Sequence, residues 1–188
     1  ASLFLSISNA SAIEIKEITS SKGIKAWLVE DHTNPIITMD ISFRGGSALD
    51  PIGKEGLANL VSATLDEGAG DIKSQEFQRK LEDLAISISF SSRLDSFSGS
   101  LRTLKRNQKT AFDLLRLALT EPRFDADPVA RIRSQIIAGI RRNSENPRLI
   151  ARRTLFSKLF PNHPYGRPSG GTEASVNVIK VADLKIFV

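Results

Sequence analysis

The sequence predicts an α+β domain, a mainly antiparallel sheet that is covered on one face by helices. Three observations favour this class. Apolar residues alternate with polar ones in the first quarter of the chain and again near its middle, as in half-buried strands. Segments with the three-to-four spacing of amphipathic helices separate and follow these strands. The strict strand–helix–strand order of a parallel sheet does not occur.

Three strands are predicted near the N-terminus. Residues 13–19 alternate and meet a turn at residues 20–23, and residues 24–30 form the second strand. The third strand runs near Ile36–Arg44, and its apolar positions alternate with Thr38, Asp40 and Ser42. Later in the chain, residues 86–91 and 96–101 alternate in the same way, which predicts an antiparallel hairpin.

The rest of the chain predicts helices. The first has a buried stripe from Leu57 to Leu65 and is expected to stop at Gly68 and Gly70. The others are indicated by apolar residues at helical spacing, and they lie near residues 74–81, 111–119, 127–140, 146–159 and 181–188. Asp127-Pro128 and Asn146-Pro147 are typical helix starts, an N-cap residue followed by proline.

Composition excludes several functions. The chain has no cysteine, which rules out disulfides, thiolate zinc sites and cysteine nucleophiles. Its net charge of +5 comes with one Tyr and one Trp, too few for a surface that stacks on bases. The basic residues cluster on the two predicted helices at 127–140 and 146–159, so a solvated helix face is the preferred explanation and no nucleic-acid partner is expected.

The N-terminus predicts export. Residues 1–12 read as the remnant of a signal peptide that ends in the cleavage pattern Ala10-Ser11-Ala12, and a periplasmic location is expected. No run of apolar residues is long enough to span a bilayer. The remaining residues, 13–188, form the predicted domain, which we expect to be cut short at its C-terminus.

Four short motifs occur in a characteristic order. They are residues 43–47 (FRGGS), 53–58 (GKEGLA), 160–166 (FPNHPYG) and 171–173 (GTE). Together they resemble the insulinase/pitrilysin family of zinc metallopeptidases, and the resemblance covers residues 13–188. In that family the Gly-Leu-Ala segment leads into an H-x-x-E-H motif on a helix, with two zinc-binding histidines and a glutamate as general base.

Every position of this zinc site is replaced. The resemblance places the histidines at Asn59 and Ala63, the general base at Ser62, the third ligand at Gly139 and an accessory acidic residue at Ile132. Catalytic zinc needs about three histidine or carboxylate ligands, and without it no hydroxide forms at neutral pH. A serine hydroxyl is not basic enough to replace the glutamate. No catalytic residue, metal or other cofactor is therefore expected.

Other catalytic groups were weighed and disfavoured. His32 and His163 fall in separate loops, where local hydrogen bonds explain them better than metal binding does. Asp66 and Glu67 are candidates for relocated catalytic acids, but a solvated end of the first helix is the preferred interpretation. The chain has neither the G-x-S-x-G turn of a serine hydrolase nor a phosphate-binding loop.

Three functions follow from these patterns. The favoured one is a non-catalytic half of an insulinase-type peptidase, which shapes a peptide-binding chamber with a zinc-bearing homologous subunit or domain. A peptide substrate would pair with the edge strand that carries Ile36, Thr38, Asp40 and Ser42. The alternative is a structural module that resembles the core subunits of respiratory complexes. An enzyme of another class is the third, and no residue requires it.

Overall fold

The computed structural model describes residues 14–188. The predicted signal-peptide remnant at residues 1–12 lies outside the described residues, and its prediction stays untested. The chain divides into two compact units, one that ends at Pro35 and one that comprises Ile36–Val188. No helix within residues 14–188 is both long and apolar enough to cross a membrane.

The first unit is a β-hairpin. Strands β1 (Ile15–Thr19) and β2 (Lys25–Val29) pair antiparallel, so both predicted N-terminal strands are confirmed. The predicted turn is also present, because the Ser20 carbonyl accepts from the Gly23 amide at 2.9 Å. Every side chain in the two strands is exposed within the described residues.

The second unit holds the remaining strands and all the described helices. Its strands are β3 (Ile36–Arg44), β4 (Gly68–Ala69), β5 (Ile72–Lys73), β6 (Ser87–Ser92) and β7 (Ser96–Leu104). Its helices are α1 (Leu57–Ser62), α2 (Ser74–Asp83), α3 (Gln108–Thr120), α4 (Ala126–Ser144), α5 (Pro147–Leu159), α6 (Glu173–Val178) and α7 (Val181–Phe187). Strands β3, β7 and β6 form an antiparallel sheet in that order, and β4 pairs with β5 as a short hairpin.

Helices cover one face of the three-stranded sheet. The strand register places Met39 and Ile88 on either side of Leu101, and these apolar residues face the helices. One cluster of buried residues joins β7 with α1, α4 and α7, and a second joins β6 and β7 with α2 and α3. Serines occupy the other face, where the Ser89 and Ser100 hydroxyls lie 2.9 Å apart. The predicted fold class is confirmed.

The end of α1 was predicted wrongly. The helix ends at Ser62, six residues before the predicted stop at Gly68. The Thr64 amide donates to the Val61 carbonyl at 3.0 Å, and the Thr64 hydroxyl donates to the Leu60 carbonyl at 2.7 Å. The chain therefore tightens into three-residue turns after Ser62.

The start of α4 was also predicted wrongly. Its N-cap is Asp125 rather than Asp127, and Asp125 is held there by the Arg123 guanidinium at 2.7 Å. Pro128 is tolerated inside the first turn because amides there have no helical partner. The other proline signal is confirmed, since the Asn146 side chain accepts from the amides of Arg148 and Leu149 in front of α5.

Candidate functional site

A buried carboxylate sets the position of α1. The Asp50 side chain accepts hydrogen bonds from the amides of Gly56 at 2.8 Å and Ala58 at 3.0 Å, at the start of the helix. Asp50 is only 3% exposed. Burial raises the pKa of Asp50 above its ordinary value, although these amide bonds and the nearby Arg167 charge act in the opposite direction. The loop before α1 is therefore fixed to the helix through protein groups alone.

The motif loops pack directly on this start. The Arg167 guanidinium donates to the carbonyls of Asp50 at 2.8 Å and Ala48 at 2.9 Å. Gly171 has a positive φ of 80°, and a Cβ there would lie 2.3 Å from the Glu55 carbonyl oxygen. Only glycine allows the two backbones to come this close. The motifs at 53–58 and 171–173, which are far apart in sequence, therefore form one packed unit.

The three replaced positions on α1 lie together on one helical turn. The Ala63 amide donates to the Asn59 carbonyl at 3.1 Å, as the four-residue spacing requires. The Ser62 hydroxyl donates to the same carbonyl at 2.9 Å, and Ser62 is 6% exposed. The Ser62 hydroxyl thus satisfies a backbone carbonyl within its own helix.

The other two replaced positions lie on α4. Ile132 is 8% exposed and belongs to the buried cluster that contains Leu60 and Val61 of α1. Gly139 is half-buried, and no atom lies within 4 Å of where its Cβ would be. The structure thus packs α1 against the Ile132 end of α4, and it leaves open space beside Gly139.

Residues 14–188 contain no group of three or more His, Asp or Glu side chains that could hold a metal ion. His163 accepts a hydrogen bond from the Tyr165 amide at 3.2 Å and caps the short turn Pro164–Gly166. His32 lies 3.6 Å from the Glu30 carboxylate in the first unit. Both histidines therefore have the local partners that the sequence suggested.

Glu67 differs from the prediction of a solvated helix end. It is 9% exposed and accepts from the Arg131 guanidinium at 2.5 Å and from the Ser74 hydroxyl at 2.6 Å. The preceding residue, Asp66, is half-buried. Burial raises the pKa of Asp66, and the neighbouring Glu67 charge adds to the increase. Glu67 thus links the segment after α1 to helix α4.

The candidate substrate-binding strand lies at an edge. Among the strands that the structure describes, β3 pairs only with β7, so its other side is unpaired there. Thr38, Asp40 and Ser42 are exposed. Strand β6 forms the opposite edge of the same sheet, which the sequence did not single out. Peptide binding at either edge stays a prediction.

The comparisons with known proteins agree with this architecture. The sequence profile of the family described as Insulinase (Peptidase family M16) matches residues 25–173, most of the chain. The chain therefore belongs to the insulinase family of peptidases, which confirms the resemblance seen in the motifs. The assignment of the family's zinc-ligand positions to Asn59, Ala63 and Gly139 stays a prediction from the order of the motifs.

Two relatives lie near it in sequence. The Non-peptidase homolog YmxG of Helicobacter pylori (strain ATCC 700392 / 26695) is 30% identical over 94% of this chain and 40% of its own length. A crystal structure described as a peptidase M16 inactive domain from Pseudomonas fluorescens is 29% identical, with a TM-score of 0.86, over 93% of this chain and 43% of that one. Both names agree with the prediction that this chain lacks catalytic chemistry of its own.

A third comparison supports the fold. The crystal structure of a protease from Helicobacter pylori matches with a TM-score of 0.81 at 19% identity, over 94% of this chain and 43% of that one. In each of these comparisons, this chain spans about two fifths of the relative's length.

Sequence reasoning missed several residues that hold the site. Asp50 lies within a loop that carries no signal for a buried carboxylate, and Arg131 is 64 positions away from Glu67. The short helix α6 was also missed, although Thr172 and Ser175 form a capping box at its start. That spacing is a signal that could have revealed the helix.

Proposed function

We propose that this chain is a non-catalytic half of an insulinase-type peptidase, which shapes a peptide-binding chamber together with a zinc-bearing homologous subunit or domain. One observation carries the proposal. The helix on which the family resemblance places the zinc ligands is firmly held through Asp50 and Arg167, while the positions assigned to those ligands by the motif order carry no histidine or carboxylate. A fold that is kept without the residues for zinc catalysis suits a role in binding a partner subunit and a peptide.

The open edges of the sheet support the peptide part of the proposal. An extended peptide can add to an exposed edge strand through backbone hydrogen bonds, which tolerate many sequences. Strand β3 offers such an edge within the described residues, and its outward side chains at Thr38, Asp40 and Ser42 are small and polar. Export to the periplasm, where such a pair would act on unfolded peptides, is part of the same proposal.

Co-expression tests the partnership. The chain is produced with a homologous peptidase subunit that keeps the H-x-x-E-H motif, and the mixture is analysed by size-exclusion chromatography with mass determination. We expect a complex and a higher kcat/KM for an internally quenched peptide than the zinc-bearing subunit has alone. The matched control replaces the glutamate of the partner's motif by glutamine, which should abolish hydrolysis without abolishing the complex. Full activity of the partner without this chain, and no complex, would contradict the proposal.

A second experiment tests the assignment of the replaced positions. The variant Asn59→His/Ala63→His/Gly139→Glu restores the three ligand types that catalytic zinc requires. Asn59 and Ala63 lie one helical turn apart, and the space beside Gly139 is free for a side chain. We expect one tightly bound zinc ion in a titration against a chelating dye, and weaker binding by the control that keeps Gly139. A folded triple variant that binds no zinc would show that α1 and α4 do not have the family's spacing.

A further inference from the structure

The net positive charge of this chain is concentrated in one short segment. Residues 141–160 contain six basic residues and a single acidic one, Glu145. The whole chain has 26 basic and 21 acidic residues, so the remainder has twenty of each. The basic residues of the segment are Arg141, Arg142, Arg148, Arg152, Arg153 and Lys158. This segment therefore dominates the attraction of the chain for anions.

Helix α5 presents most of this charge to solvent. None of its residues is buried, and Leu155 and Leu159 are 54% and 60% exposed. The Arg152 guanidinium lies over the Phe156 ring, 5.7 Å from its centre. Neither Arg152 nor Arg153 forms an ion pair with any residue that the structure describes. Both guanidinium groups therefore remain available to an external anion.

A cavity lies beside these two arginines. It has a volume of about 280 Å³, is open to solvent on one side and is lined by the end of α4, by α5, by the β6–β7 turn and by the loop at 165–171. Its walls include Ile140, Leu149 and Phe156, and Arg152 and Arg153 also line it. None of the described residues that line the cavity carries a carboxylate. An apolar part of the wall next to cations that face no carboxylate suits a ligand that is both apolar and anionic.

We infer that this cavity binds a carboxylate next to an apolar side chain of a peptide. Guanidinium groups match carboxylates in shape and can donate two parallel hydrogen bonds. The volume is at the lower end of ligand pockets, which limits the buried part to one or two residues. A phosphodiester chain fits less well, because it has no apolar group to contact Ile140, Leu149 and Phe156. That the ligand is a peptide rests on the proposed function.

Two kinds of peptide carry the required chemistry, a chain that ends in an apolar residue with a free carboxylate and a chain with an internal Asp or Glu beside an apolar residue. Fluorescence anisotropy of dansylated pentapeptides distinguishes them. The probes are a peptide ending in leucine with a free carboxylate, the same peptide as the amide, and an amidated peptide with an internal aspartate before leucine. The variants are Arg152→Gln and Arg153→Gln, with Arg148→Gln as the matched control, since Arg148 lies on α5 but does not line the cavity.

We expect at least one carboxylate peptide to bind, the amide without a carboxylate to bind about tenfold more weakly or not at all, and each cavity variant to weaken binding by about tenfold or more. Arg148→Gln should change binding less than about twofold. Equal binding of the acid and plain amide peptides would overturn the inference. So would equal losses in all three variants, or displacement of the peptide by a short oligonucleotide, since these indicate general attraction to positive charge.

The outcome is separable from that of the proposed function. Peptide binding is measured on this chain alone, whereas the proposed function is tested by complex formation and hydrolysis with a zinc-bearing partner. A cavity that binds the peptides in a chain that forms no complex would refute only the partnership. A complex that hydrolyses peptides while neither carboxylate peptide binds to this chain would refute only the cavity ligand.

Discussion

The ion pair between Glu67 and Arg131 provides a quantitative test of how α1 and α4 are held together. Glu67 is 9% exposed, and its carboxylate accepts from both Arg131 and the Ser74 hydroxyl. The Arg131 side chain is 50% exposed, so the pair is neither fully buried nor a free surface pair. The contribution of this pair to the free energy of unfolding should therefore lie between that of a fully buried pair and that of a free surface pair.

The perturbation is Arg131→Met, which keeps an unbranched apolar stem but removes the guanidinium group and its charge. The nearly buried Glu67 carboxylate then keeps only the Ser74 hydroxyl as a partner. Loss of a hydrogen bond to a charged group costs about 1.5–3 kcal/mol, and the remaining buried charge places this variant in the upper part of that range. In a domain of this size, each kcal/mol lowers Tm by about 2–4 °C.

Urea unfolding of four proteins measures the coupling directly. They are the unchanged chain, Arg131→Met, Glu67→Gln and the double variant. Because Glu67→Gln removes the buried charge, the double variant should be more stable than the sum of the single losses predicts, by about 1–2 kcal/mol. The matched control is Arg148→Met, because Arg148 is exposed. Arg133→Met is unsuitable as a control, because Arg133 donates hydrogen bonds to two backbone carbonyls. A coupling below about 0.5 kcal/mol would refute the view that this pair joins the segment after α1 to α4.

Three further predictions concern stability. Gly99→Ala should lower the free energy of unfolding by about 1–2 kcal/mol, because the new Cβ would lie 3.0 Å from the Phe90 ring. Gly139→Ala should raise the free energy of unfolding by about 0.5–1 kcal/mol in the same urea experiment, because no neighbouring side chain or loop lies within 4 Å of its Cβ. Asn146→Ala should cost about 1 kcal/mol by loss of the N-cap of α5, and Asn146→Ser should restore most of it. The Lys54 ammonium lies 2.6 Å from the Asp183 carboxylate and lowers the pKa of Asp183 below its ordinary value of 3.8. The ion pair therefore stabilises the fold fully above pH 3.8, and this stabilisation is lost as the pH falls through the lowered pKa of the folded state. The difference in unfolding free energy between the unchanged chain and Asp183→Asn should therefore shrink from about pH 6 to about pH 2.5, and a constant difference would contradict it.

Local sequence patterns predicted the parts of the fold that depend on local chemistry. Strands β3, β6 and β7 follow from period-two alternation, because each buries one face. The start of α5 follows from Asn146-Pro147, a signal complete within two residues. The family could be inferred because its glycines serve geometry, as Gly171 does where a Cβ would meet the Glu55 carbonyl.

The parts that sequence did not predict depend on distant partners. The burial of Glu67 requires helix α4 to bring Arg131 across, and nothing near Glu67 indicates this contact. The early end of α1 depends on Thr64, whose hydroxyl competes for backbone carbonyls in a way that helical periodicity does not reveal. The ligand positions are predicted from the motif order alone, and the zinc-restoration experiment tests them.

The way α1 is braced has an evolutionary consequence. A carboxylate, a guanidinium and a close glycine contact hold the helix, and all three belong to the polypeptide itself. None of these contacts uses a side chain at Asn59, Ala63 or Gly139, so changes at those positions leave the bracing of α1 in place. A lineage can then exchange these side chains by neutral drift, with the surrounding architecture left intact for other uses.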